Sequence, residues 1–121
     1  MIGIGTDLVD VARFRRMIER RPGLVDRLFG PAEREAMALR SDPATGFAAR
    51  FAAKEATMKA LGVGLGAFDF AEVEVIRTPS GAPELRLHGR AAALADGAGV
   101  VRWHVSLSHV DSVASAVVVA E

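Results

Sequence analysis

The sequence predicts an α+β fold with a mainly antiparallel sheet packed with helices. Three observations carry this. The first residues alternate as a strand, two later pairs of short alternating runs each flank a turn, and the segments between them have helical spacing. The resulting order is strand, helices, two strands, helix, two strands.

Residues 1–9 read as the first strand, with Ile2, Ile4, Thr6 and Leu8 on one face and Gly3, Gly5 and Asp7 on the other. Glycines weaken a strand, so their presence marks a place where something approaches the backbone closely. Asp10 caps a helix running to about residue 21, where Pro22-Gly23 stops it. Val11, Phe14 and Ile18 form its buried stripe; Arg13, Arg16 and Arg20 fall opposite, with Met17 at their edge. A short helical piece covers residues 24–29. Gly30-Pro31 and Glu33 then start another helix reaching about residue 40.

Residues 41–46 form a loop. The segment from about residue 45, ending at Gly62, is the clearest helix. Phe47, Phe51, Met58 and Leu61 make one stripe and alanines cover most of the rest, so it packs on both sides. Glu55 and Lys59 lie together where the two faces meet. Residues 62–66, GVGLG, form a flexible loop. Residues 70–77 and 84–87 read as a hairpin around Pro79-Ser80-Gly81, residues 89–96 as an alanine-rich helix, and residues 100–107 and 112–119 as a final hairpin.

The 121 residues fit one domain, 1–121, with no linker or internal repeat. Cysteine is absent, which excludes a disulfide scaffold, thiolate metal sites and a cysteine nucleophile. Fifteen Lys+Arg balance fifteen Asp+Glu, so no global field draws the chain to nucleic acid or anionic lipid. The longest apolar stretch, residues 113–120, falls far short of the ~20 residues a spanning helix needs. The first residues lack the basic start of a secretory signal. The expectation is a soluble cytoplasmic protein.

Asp7, on a glycine-lined strand, and Glu55, on a largely buried helix, are the candidate metal ligands. Two converging carboxylates suit a hard cation such as Mg²⁺, which keeps waters and completes its shell with substrate phosphate. The alternative is that Asp7 caps the following chain and Glu55 pairs with Lys59 at i,i+4. Lys59, Lys54 and Arg50 are cations on the same helix that suit a phosphate, or a solvated helix edge. The glycine loop leaves bare backbone beside them. His109 ends the stretch SLSH at a strand-to-turn boundary. The Arg13, Arg16 and Arg20 stripe offers a dock for an acidic partner, or a plain solvated face.

Three segments together resemble a known family: GIGTDL at residues 3–8, FAARFAAKEATMKALGVG at residues 47–64, and SLSH at residues 106–109. They resemble the holo-acyl-carrier-protein synthases, the small single-domain branch of the phosphopantetheinyl transferases. The resemblance implies that fold and the transfer of phosphopantetheine from coenzyme A to a serine of an acidic acyl carrier protein. By motif it implies Mg²⁺ at Asp7 and Glu55, with Glu55 and Lys59 catalytic. It implies coenzyme A contacts at Arg50, Lys54, Gly62, Gly64, Ser108 and His109, and carrier docking at Arg13, Met17, Arg20 and Arg27. A metal-dependent phosphodiesterase and a non-catalytic coenzyme A or nucleotide-binding module are the competing readings.

The run VASAVVV at residues 113–119 carries no charge on either face, which predicts that both faces are covered and points to a subunit interface. The resemblance implies a homotrimer with active sites between subunits: Asp7, Glu55 and Lys59 from one chain, His109 from the next.

Overall fold

The strand at the N-terminus pairs with the strand at the C-terminus, and one long helix lies across both. The computed structural model describes residues 1–121. Its elements are β1 (Gly3–Asp10), α1 (Val11–Arg20), α2 (Leu24–Leu28), α3 (Pro31–Ala38), α4 (Ala44–Leu61), β2 (Val73–Arg77), β3 (Pro83–Leu87), α5 (Gly89–Gly97), β4 (Trp103–His109) and β5 (Val113–Ala120). Two antiparallel sheets result: a three-stranded one in the order β1-β5-β4, and the β2-β3 hairpin. No helix is long and apolar enough to cross a membrane.

The glycines of β1 explain how α4 reaches the sheet. A Cβ on Gly5 would collide with the Ala56 carbonyl oxygen, and one on Gly3 with that of Ala60. What approaches this strand closely is the helix itself. Beneath α4 the inner face of β5 presents Ala114, Ala116, Val118 and Ala120, all buried, against Ala49, Ala52, Ala56 and Ala60 of the helix. Small residues on both sides let helix and sheet pack closely without voids. Gly62, in the left-handed region at φ 69°, ends α4.

On its other side α4 meets the aromatic core. All six phenylalanines form one connected series in the order Phe47, Phe29, Phe14, Phe51, Phe70, Phe68, with successive ring centroids 4.6–6.4 Å apart. Contacts of this kind stabilise by about 0.5–1.5 kcal/mol each beyond the area they bury. The series ties α1 and the loop before β2 to α4.

Two expectations need correction. Residues 70–72 form a single 3₁₀ turn, not strand, because the Glu72 carboxylate accepts from the Asp69 N–H at 2.8 Å and closes the chain there. β4 begins at Trp103, not residue 100, since the N–H groups of Val101 and Arg102 donate to the Glu121 carbonyl. Within the single chain α4 covers one face of β5; on the other face Val117 is 42 % exposed, alongside the exposed Ile4 and Leu8 of β1, and this is the face for which the sequence predicts a subunit contact.

Candidate active site

Asp7 follows Gly3 and Gly5 on the inner face of β1, so the pleat that admits α4 also turns this carboxylate toward it. Glu55, half-buried on α4, lines the same cavity of about 480 Å³, together with Arg13, Met17 and Phe51. Lys59 reaches across from α4 and donates to Asp7 Oδ1 at 3.2 Å and to the Thr6 carbonyl at 3.0 Å. Lys59 thus binds β1 and forms no ion pair with Glu55. Asp10, not Asp7, caps α1, accepting from the Arg13 N–H at 2.8 Å. Both local alternatives for the two carboxylates therefore fail.

Burial pushes the Glu55 carboxyl above its ordinary value, the Asp7 charge pushes it further, and Lys59 opposes this. A divalent cation between the two carboxylates would relieve both penalties. No third His, Asp or Glu completes a protein cage. The donor set therefore fits a cation that keeps water and ligand oxygens in most of its shell, as Mg²⁺ does.

A second cavity, about 530 Å³, opens on the opposite flank of α4. Arg50 and Glu55 are five residues apart and so project ~140° from one another around the helix. This cavity holds Arg50, His109 of β4, and two arginines that the local sequence did not single out, Arg40 after α3 and Arg77 at the end of β2. Arg15 also borders it but is neutralised by Asp42, which it binds through two hydrogen bonds of 2.6 and 3.0 Å. The other three guanidiniums have no carboxylate partner within ion-pair distance. Arg50 is 2 % exposed, its Nε has no hydrogen-bond partner, and burial lowers its pKa, opposed by the Glu33 charge and aided by those of Arg77 and Arg40. Three mutually repelling guanidiniums around a polar cavity form a receptor for a multiply charged anion.

The docking candidates form a basic strip beside the first cavity. Arg13 and Met17 line that cavity, and with Arg16 and Arg20 they also border a smaller depression on α1. Arg27 lies further on, at a groove formed by α2 and residues 65–70.

Residues 3–118 match the family model described as the 4'-phosphopantetheinyl transferase superfamily. This chain belongs to that family. A holo-[acyl-carrier-protein] synthase of Clavibacter michiganensis subsp. michiganensis is 53% identical over 119 residues, covering 98% of this chain and 94% of that one. One from Beutenbergia cavernae is 48% identical over 121 residues, covering 100% and 98%. Among solved structures, the holo-[acyl-carrier-protein] synthase of Neisseria meningitidis superposes with a TM-score of 0.91 at 32% identity, covering 100% and 98%. The Helicobacter pylori enzyme, solved in complex with coenzyme A, gives 0.80 at 30%, covering 98% and 99%.

Within this phosphopantetheinyl transferase, the other sequence candidates fall outside both cavities of the single chain. Lys54 is no phosphate ligand: it is 0 % exposed, and its ammonium donates to Glu33 Oε1 at 2.7 Å, to the Phe70 carbonyl at 3.1 Å and to the Val73 carbonyl. The local i,i+4 spacing to Arg50 gave no sign of this, because the partners lie on other elements. Ser108 shares a row with Ser115 and Leu8 on the outer face of the sheet, away from His109 and from both cavities. Gly62 and Gly64 line neither cavity, and each has open space where a side chain would be.

Proposed function

We propose that this phosphopantetheinyl transferase moves the 4'-phosphopantetheine moiety of coenzyme A to a serine of an apo acyl carrier protein and releases adenosine 3',5'-bisphosphate. The observation that carries the reading is that Asp7 and Glu55 line one cavity bordered by the basic strip of α1, with Lys59 bonded to Asp7. Asp7 and Glu55 hold Mg²⁺, which when bound neutralises charge on the diphosphate oxygens. Lys59 turns from Asp7 to the same diphosphate. Glu55, directly or through a water, accepts the serine proton. Arg13, Met17, Arg20 and Arg27 dock the acidic carrier so that its serine meets this cavity.

Arg40, Arg50 and Arg77 take the phosphates at the nucleoside end of coenzyme A, with His109 beside them. One coenzyme A then has to span an arginine cavity and a carboxylate cavity that α4 separates. A homotrimer resolves this by setting the arginine cavity of one chain against the carboxylate cavity of the next. The exposed apolar residues Ile2, Ile4, Leu8 and Val117 on the outer sheet face support such an assembly. In this arrangement Arg50 accompanies His109 rather than Glu55. Residues 1–121 act as one domain, and we place the enzyme in the cytoplasm with its co-substrate.

The test is to incubate the protein with coenzyme A, Mg²⁺ and an acidic apo carrier and weigh the carrier by mass spectrometry. A gain of one phosphopantetheine supports the proposal. Coenzyme A cleavage without a modified carrier would indicate a phosphodiesterase instead, and binding without turnover a non-catalytic module.

A further inference from the structure

α4 carries both Glu55 and Lys59, so its rotation about its own axis decides whether the carboxylate cavity forms. Its apolar surface fixes that rotation only in part: Phe47 and Phe51 lock into the aromatic core, and most of the rest is alanine. Ala48, Ala52, Ala53 and Ala56 are each 0 % exposed and spread around more than a third of the helix circumference. Methyl groups of equal size slide past one another, and the Gly3 and Gly5 contacts set how close the helix comes rather than how it is turned. One buried polar feature is directional as well. Lys54, about 100° from Glu55 around the helix, places its ammonium over the Phe29 ring and against three acceptors: the Glu33 carboxylate of α3 and the carbonyls of Phe70 and Val73. Glu33, also 0 % exposed, accepts in turn from the N–H groups of Gly30 at 3.1 Å and Val75 at 3.2 Å. Two stretches of chain, residues 29–33 and 70–75, are thus pinned to one turn of α4.

A buried ion pair is weak evidence for stability, since apolar side chains of similar volume often do as well or better; registration is its best-attested use. We infer that the Lys54–Glu33 pair is a positioning device that fixes the rotation of α4, so that Glu55 and Lys59 face Asp7. The two residues touch no substrate and act through Glu55. Phe70, whose carbonyl Lys54 holds, meets Phe51 edge to face in the wall of the same cavity, with centroids 5.6 Å apart. The clamp therefore sets the wall as well as the carboxylate. This inference rests on the proposed role of Asp7 and Glu55 in holding a divalent cation.

The test uses the full chain with Glu33→Gln and Lys54→Met, singly and together, and with the charge-conserving Glu33→Asp in case the others fail to fold. Thermal melts select the variants folded at the assay temperature. Steady-state transfer then gives kcat, KM for coenzyme A and the Mg²⁺ concentration for half-maximal rate. Asp7→Asn serves as the control for the cation site. The expected result is a kcat at least tenfold lower and a Mg²⁺ requirement at least tenfold higher in the uncharged variants. Glu33→Asp should shift the same way by a smaller factor, and KM for coenzyme A should stay within about twofold. A folded variant with wild-type kcat and Mg²⁺ requirement overturns the inference. A crystal structure of that variant reads the helix directly, without reference to the metal: α4 turned, with Glu55 drawn away from Asp7, supports the clamp, and Glu55 in its wild-type place overturns it. An Asp7→Asn control with an unchanged Mg²⁺ response faults the cation site instead, and the crystal structure then decides the clamp alone.

Discussion

Lys59 donates to Asp7 at 3.2 Å across the junction of β1 and α4, and leaves Glu55, one turn earlier on the same helix, without a cation of its own. That asymmetry gives the cavity its chemistry. One carboxylate is already partly neutralised. The other is held half-buried beside it with its ionised form disfavoured.

A pH dependence follows from Glu55. Its folded pKa is raised above the ordinary 4.5, so its favourable contribution is present below that value and is lost as pH rises through the raised pKa. Without metal, Glu55→Gln should therefore melt higher than wild type at pH 7 and lose less stability between pH 4 and 7. Added Mg²⁺ should raise the wild-type melting temperature and leave the variant nearly unchanged. Melts in chelator and in Mg²⁺ across that range check both, and parallel pH curves for the two proteins would contradict the assignment.

The closeness of β1 to α4 is a stability prediction. Gly5→Ala places a methyl group against the Ala56 carbonyl and must push the helix off the sheet. Overpacking of this kind costs about 1–3 kcal/mol. Urea denaturation should show a loss of that order. A variant as stable as wild type would mean that the helix has room to move.

Charge reversal at Arg13 and Arg20 should raise KM for the carrier by about tenfold or more while changing KM for coenzyme A less than twofold. Exposed charges act on encounter and are screened by salt, so the gap from wild type should narrow as ionic strength rises. Equal effects on the two substrates would move the dock off α1.

Much of this site could be read from the sequence because it is local. The alternation that puts Asp7 with Gly3 and Gly5 needs only the pleat of one strand, and Glu55 and Lys59 need only one turn of one helix. Arg40 and Arg77 lie 37 residues apart by their numbers, and only the packing of β2 beside the start of α4 brings them to Arg50. Lys54 failed for the same reason in reverse. Its spacing from Arg50 looks like a surface pair, and its burial depends on Glu33 and on two carbonyls near β2. The turn at residues 70–72 escaped because its alternation matches a strand, and only the bond from Asp69 to Glu72 reveals the closure.

The composite site can be tested by complementation. Glu55→Gln removes the carboxylate cavity's function, and His109→Ala alters the arginine cavity. Mixed trimers of these two variants would contain some sites with both cavities intact, so activity should reappear after subunit exchange. A light-scattering mass of one chain at micromolar concentration, or no recovery once exchange is confirmed, would contradict the arrangement.

The most direct measurement is the intact mass of an apo carrier protein after incubation with coenzyme A, Mg²⁺ and either wild-type enzyme, Asp7→Asn or Glu55→Gln, with circular dichroism confirming that each variant is folded. The account predicts one added phosphopantetheine with wild type, and a rate at least a hundredfold lower with either variant. A folded Asp7→Asn or Glu55→Gln enzyme that modifies the carrier at close to the wild-type rate would contradict it.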